Sequence, residues 1–151
     1  FRTVADLRSD MEREKAPHDW CGADCRILDL DMNTDLRAQG EDMWMTLGRD
    51  PTQARAIAVM THNYGLMPQA FLPHVGPMVD ALLAGDTPML VHCTAGKDMV
   101  AVLIGVHADF LNRALDVVAS QWGGIDGYFQ AAGVDADRRD ALRQTLVTGG
   151  E

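Results

Sequence analysis

Cys93 is the residue of this sequence whose neighbours point most clearly to a chemical function. It lies in segment 90–99, Leu-Val-His-Cys-Thr-Ala-Gly-Lys-Asp-Met. Residues 88–91 are typical of a short apolar strand, and the apolar residues 100–106 are typical of a helix buried at a domain centre. Cys93 therefore opens a tight loop that leads from a strand into a helix. Such a loop directs several backbone N–H groups and the positive end of the helix dipole at one point, where an anion can bind.

A thiol at that point is expected to act as a nucleophile. Cysteines at helix N-termini or beside cations are commonly thiolates, and Lys97 supplies a cation four residues after Cys93. We therefore predict that Cys93 is a nucleophile facing a bound oxyanion. The alternative is a buried and chemically inert cysteine, which is the commonest state of a free cysteine.

The loop resembles a known phosphate-binding motif. His92-Cys93-Thr94-Ala95-Gly96-Lys97-Asp98 is similar to the phosphate loop of cysteine-dependent phosphatases, in particular the branch of protein-tyrosine and lipid phosphatases whose loop begins His-Cys-x-Ala-Gly-Lys-Asp. Asp6-Leu7-Arg8-Ser9, with Glu12 and Arg13, resembles the Asp-Leu-Arg-Ser strand end near the start of the same branch. Two matches far apart in the chain strengthen the resemblance.

The resemblance implies a role for each loop residue. Cys93 would attack phosphorus, His92 would order the loop around the cysteine, and Asp98 would protonate the leaving oxygen. Lys97 would assist by contacting the phosphate, although it can equally pair with a surface carboxylate. No cofactor and no metal are implied. The phosphate oxygens would be held by the loop residues Thr94, Ala95, Gly96, Lys97, Asp98 and Met99.

Two residue assignments stay open at this point. Asp98 can instead be a carboxylate that only interacts with the helix dipole, in which case Asp29 and Asp31, at a strand end, are weaker candidates for the acid. Arg8 also follows a strand end, and ligands bind where parallel strands end in open α/β folds. It can either lie near Cys93 and partly replace a missing loop arginine, or form an ordinary structural salt bridge.

Met99 is the main departure from the family pattern. The family loop closes with an arginine six positions after the cysteine, and that position is Met99 here. An arginine grips two phosphoryl oxygens at once, which a thioether cannot do. We therefore expect either a phosphatase with weakened activity or an inactive pseudophosphatase that binds phosphate or a phosphorylated partner.

The remaining pattern predicts an α/β fold with a small, mostly parallel central sheet flanked by helices, similar to protein-tyrosine phosphatases. Strands are expected over residues 3–7, 26–30 and 88–91. Ser9 and Glu12 have the spacing of a capping box that opens a short helix. Asp50-Pro51 is expected to open a helix that Gly65 closes. Pro68, Pro73 and Pro77 are expected to interrupt helical structure after it, so that the next secure helix covers residues 78–84.

Composition narrows the class of protein. With 151 residues, 47% hydrophobic and 23% charged, we expect a single phosphatase-like domain over 1–151, and the start at Phe1-Arg2 is compatible with a missing N-terminal segment. The formal net charge of −9 argues against nucleic-acid binding. The partners implied are a phosphorylated protein, a phosphoinositide or a small phosphate ester. No apolar run is long enough to span a membrane and no signal peptide is evident, so cytoplasm is the simplest compartment.

The three cysteines offer further interpretations. Their odd number favours a reducing environment over a disulfide framework. His18, Cys21 and Cys25 look superficially like metal ligands, but a structural zinc site needs four. A redox role, in which Cys21 or Cys25 resolves an oxidised Cys93, is chemically allowed.

Overall fold

The computed structural model describes residues 1–17, 22–32, 45, 48–93 and 108–148. The predicted loop residues after Cys93 and the predicted helix over 100–106 therefore lie outside the described residues, as do His18 and Cys21. The described elements, in chain order, are β1 (Thr3–Asp6), α1 (Asp10–Lys15), β2 (Arg26–Asp29), α2 (Gln53–Leu83), β3 (Met89–His92), α3 (Ala108–Trp122), α4 (Ile125–Ala131) and α5 (Ala136–Thr148).

The described strands form a parallel sheet in the order β2-β1-β3. β1 lies in the centre and all of its residues are buried. The register places Asp6, the last residue of β1, opposite both Asp29 and His92. The α/β fold with a small parallel sheet is thus confirmed, and each strand lies within about a residue of its predicted position. Because the carboxyl ends of all three strands meet at one edge, the residues that follow them share the usual ligand-binding edge of such sheets.

α1 begins where the sequence predicts. The N-cap Ser9 donates from its backbone N–H and from its hydroxyl to Oε2 of Glu12, at 2.9 and 2.8 Å. This carboxylate satisfies a donor that the first turn of a helix leaves without a partner. α1 therefore starts directly beyond the carboxyl end of β1, and it fixes the chain next to that edge of the sheet.

α2 contradicts the predicted break in the middle of the chain. It is one helix of 31 residues with Pro68, Pro73 and Pro77 inside it. It starts after Thr52, whose hydroxyl accepts from the N–H of Arg55 at 3.4 Å, and not at an Asp50 cap. Each proline removes one intrahelical hydrogen bond and costs about 3 kcal/mol in a helix interior. Packing against the other helices offsets this cost, and that packing cannot be read from local propensity.

The packing of α2 explains why it continues. It packs along α3, and a Cβ on Gly65 would approach Nε of the Arg113 side chain to 3.0 Å. Gly65 therefore lies inside α2, facing an α3 side chain, and does not end the helix. One apolar cluster joins the first half of α2 to α3, and a second joins its last turns to α3 and α4. The buried members are Ala56, Val59, Met60 and Phe110 in the first, and Val75, Val79, Val118, Tyr128 and Val134 in the second.

Tyr128 ties α4 to the proline-containing part of α2. Its hydroxyl donates to the carbonyl oxygen of Pro68 at 2.6 Å. The side chain is buried, and burial raises the pKa of Tyr128 to about 12, because the phenolate would lose its hydration.

The Tyr128 hydroxyl gives the fold a distinct alkaline sensitivity. Below about pH 10 the phenol is protonated in both states, whereas between about pH 10 and 12 the unfolded chain loses this proton and the folded chain keeps it. We expect the free energy of unfolding of the wild type to fall over that range, relative to Tyr128→Phe, by up to about 1.4 kcal/mol per pH unit. At neutral pH the variant is expected to lose about 1 kcal/mol through the missing hydrogen bond. Urea unfolding from pH 8 to 11.5 measures both, and parallel curves for the two proteins would contradict the assignment.

Candidate active site

Cys93 lies directly after the last residue of β3, outside any strand or helix. Its side chain is exposed and its thiol is free. Cys93 is therefore not buried, so that part of the alternative interpretation is wrong, while its reactivity stays a prediction. The position agrees with a nucleophile at the carboxyl edge of the sheet, while the assignments of Thr94, Ala95, Gly96, Lys97, Asp98 and Met99 fall outside the described residues and stay predictions.

His92 touches the backbone of Cys93. Its Nδ1 lies 3.4 Å from the carbonyl oxygen of Cys93. Since a carbonyl oxygen only accepts, Nδ1 is the donor in this contact. The carbonyl oxygen of His92 itself accepts from the N–H of Leu7 at 2.9 Å, which extends the β1–β3 ladder beyond the end of β1. His92 thus contacts the main chain at Cys93, and its role in ordering the loop stays a prediction.

Asp6 faces the other side of the His92 ring. Its Oδ1 is 3.7 Å from Nε2 of His92, and its side chain is completely buried. Asp6 lies in a segment that resembles the family, but the sequence pattern predicted no role for it. The available signal was its position: a carboxylate as the last residue of the predicted first strand, two residues before an arginine.

Arg8 binds the Asp6 carboxylate with two guanidinium nitrogens. Nε lies 3.0 Å from both oxygens and Nη2 lies 2.9 Å from Oδ2, while Nη1 donates to the carbonyl oxygen of Ala16 at 2.8 Å. The hydrogen bond to Asp6 raises the pKa of Arg8 above its ordinary value. The salt-bridge interpretation of Arg8 is therefore observed. Its partial replacement of the family arginine stays a prediction, because Met99 lies outside the described residues.

Comparison with known proteins decides the family. A model of the tyrosine phosphatase family matches residues 1–104 and 98–148. The chain belongs to the tyrosine phosphatase family. A search of curated proteins finds no match. The matched ranges contain both family-like segments identified in the sequence, and membership supports a phosphatase-like function.

Two further carboxylates line this edge of the tyrosine phosphatase domain. Asp29, beside Asp6 in the register, is exposed and has an oxygen 3.7 Å from Nε of Arg13. Asp31 accepts from the N–H of Asp10 at 3.4 Å. Arg13 also donates to the carbonyl oxygen of Arg8 and to Asp10. The weaker candidates for the acid are thus tied to α1, and their role stays open.

Cys25 is paired in a disulfide, so the expectation of unpaired cysteines is wrong for this residue. It precedes Arg26 at the amino edge of the sheet, whereas Cys93 follows His92 at the carboxyl edge. Five residues of strand rise, roughly 16 Å, separate the two positions along the sheet. A disulfide needs Cα atoms within about 7 Å. Cys25 is therefore not placed to resolve an oxidised Cys93, and in a disulfide it cannot serve as a thiolate ligand of a metal.

The Asp6–Arg8 pair is expected to be important for stability. Arg8→Met leaves the buried Asp6 carboxylate without its guanidinium, and we expect a loss of about 3–5 kcal/mol in the free energy of unfolding. The matched control is Arg26→Met, which removes a more exposed pair with Asp86 at 2.9 Å and should cost less than about 1 kcal/mol. Urea denaturation at pH 7 measures both variants, and equal losses would contradict this assignment.

The cysteines are expected to differ in reactivity under native, non-reducing conditions. Iodoacetamide should modify Cys93, because its thiol is free and exposed, and should leave Cys25 unmodified. Peptide mass spectrometry before and after reduction measures this. Modification of Cys25 without a reductant, or protection of Cys93 in the folded protein, would overturn the assignment.

Proposed function

We propose that this chain hydrolyses phosphate monoesters through a phosphocysteine intermediate. The observation that carries the proposal is the free, exposed thiol of Cys93 at the carboxyl edge of the sheet, directly after a histidine that contacts its backbone carbonyl. Membership of the tyrosine phosphatase family supports the same reaction class.

The reaction would proceed in two displacements at phosphorus. The Cys93 thiolate attacks phosphorus, an S–P bond forms and the ester P–O bond breaks, while Asp98 gives its proton to the leaving oxygen. Water then attacks the phosphocysteine and loses a proton to Asp98. The S–P bond breaks, releasing inorganic phosphate and restoring the thiolate. The loop amides from Thr94 to Met99, together with Lys97, would stabilise the phosphoryl oxygens.

The substrate would be a phosphorylated protein, a phosphoinositide or a small phosphate ester. Because the formal net charge is −9, such an anion must be attracted by the local field of the loop against the field of the whole protein. None of the described helices is long and apolar enough to cross a membrane. A disulfide, as at Cys25, persists mainly in oxidising compartments, so it does not support a cytoplasmic location, which stays a prediction.

Met99 sets the expected rate. Without the arginine at this position the transition-state charge loses a bidentate cation, and by analogy with other phosphoryl transfers this costs on the order of 10³-fold in rate. The same residue favours a second candidate function, an inactive pseudophosphatase that binds phosphate or a phosphorylated partner. Backbone amides and a lysine can hold an anion without turning it over.

Hydrolysis of an aryl phosphate by the wild type, Cys93→Ser and Met99→Arg separates the two functions. If the chain is an enzyme, the wild type exceeds Cys93→Ser, and Met99→Arg raises the rate further, up to about 10³-fold. If the wild type and Cys93→Ser are equally inactive, hydrolysis is rejected. Calorimetry with inorganic phosphate then tests the pseudophosphatase, which requires detectable binding by the wild type. Absence of both turnover and binding would reject the two candidates together.

A further inference from the structure

We infer that Asp6 is a positioning residue that holds the His92 ring and, through it, the backbone of Cys93. The consequence for catalysis rests on the proposed function. The effect on the Cys93 thiol does not, and it can be measured in the absence of any turnover.

The Asp6 carboxylate is held from several directions. Arg8 binds both of its oxygens, and the backbone N–H of Arg8 donates to Oδ1 at 3.0 Å. The backbone is held as well, because the carbonyl oxygen of Asp6 accepts from the N–H of Leu30 at 2.8 Å. A buried carboxylate with this many donors has little freedom to rotate. Asp6 therefore presents a fixed oxygen to the neighbouring strand.

His92 lies between that oxygen and Cys93. Nε2 faces Oδ1 of Asp6 at 3.7 Å, and Nδ1 contacts the Cys93 carbonyl oxygen at 3.4 Å. Both neighbours are acceptors, and a neutral imidazole carries a hydrogen on only one of its nitrogens, so the two contacts are favourable together in the imidazolium form, in which His92 and Asp6 form an ion pair. An imidazole ring is rigid, and contacts at both nitrogens define its plane. The orientation of the Cys93 carbonyl group, which begins the predicted phosphate loop, is then coupled to Asp6.

Other charged groups near the ring come from the β1 side. Arg8 stands behind Asp6 and neutralises part of its charge, and Asp29 lies one strand further away in the same register row. Arg13 contacts the Asp29 carboxylate at 3.7 Å. Asp6 is a described carboxylate on this edge that contacts His92. Removing the charge of Asp6 should therefore change the reactivity of the Cys93 thiol.

The test is a double-mutant cycle read out on the thiol. The rate at which iodoacetamide modifies Cys93 is measured for the wild type, Asp6→Asn, His92→Ala and the double variant, with urea denaturation to verify folding. We expect Asp6→Asn to slow the reaction at least about threefold, as for residues in contact, and to add less than about twofold when His92 is already alanine. The matched control, Asp86→Asn, removes an Asp–Arg pair at the opposite edge and should leave the rate unchanged.

Independent effects of the two substitutions would overturn the inference, since Asp6 would then act on stability and not through His92. If Asp6→Asn does not fold, ring ¹⁵N spectra of the wild type decide, because the coupling requires a hydrogen on both ring nitrogens of His92, and a ring that lacks either hydrogen would reject it. Aryl phosphate turnover is measured on the same proteins. Coupling without turnover by the wild type rejects the proposed function alone, and turnover without coupling rejects the inference alone.

Discussion

The ion pair between Asp6 and Arg8 is the interaction on which the carboxyl edge of the sheet depends. A carboxylate with no solvent exposure in the central strand is costly unless it is paired and hydrogen-bonded. Arg8 meets that requirement with its side chain and its own backbone N–H, and this brings the chain after β1 back over the strand end. The same guanidinium donates to the carbonyl oxygen of Ala16, just after α1. The buried Asp6 carboxylate therefore fixes the strand end and the helix that follows it. The same carboxylate faces His92.

The parallel register places the Asp6–Arg8 pair beside residues of the neighbouring strands at one edge of the sheet. Each described strand has four residues, so the row of residues at one end is separated from the row at the other by only a few peptide units. Asp29, Asp6 and His92 form the carboxyl row, and Cys93 follows it. Cys25 precedes the opposite row. The free thiol of Cys93 and the disulfide at Cys25 thus lie at different ends of the same sheet.

Features determined by near neighbours in the chain could be predicted from the sequence. Apolar runs located the strands, Ser9 and Glu12 located the start of α1, and the His-Cys motif placed Cys93 after a strand. Tertiary contacts account for the errors. The prolines of α2 lie inside a helix because helix packing outweighs their local cost, and Gly65 serves a close contact with Arg113. The role of Asp6 was missed because its partner His92 is 86 residues away, at a contact that only the strand register creates.

Loss of the loop arginine need not abolish both phosphate binding and phosphoryl transfer at such a site. Main-chain amides at a helix N-terminus hold a phosphate in the ground state and in the transition state, whereas a bidentate guanidinium adds most where charge develops during transfer. In the proposed reaction, Met99 in place of the arginine would therefore remove chiefly transition-state stabilisation. Arg8 is engaged by a buried carboxylate behind His92. To grip a phosphoryl group with the same two nitrogens it would have to release Asp6, and with it the residue that faces His92. The Asp6–Arg8 pair is thus poorly suited to replace the arginine, and in the proposed reaction the consequence of Met99 would fall on the rate of transfer more than on the binding of the anion.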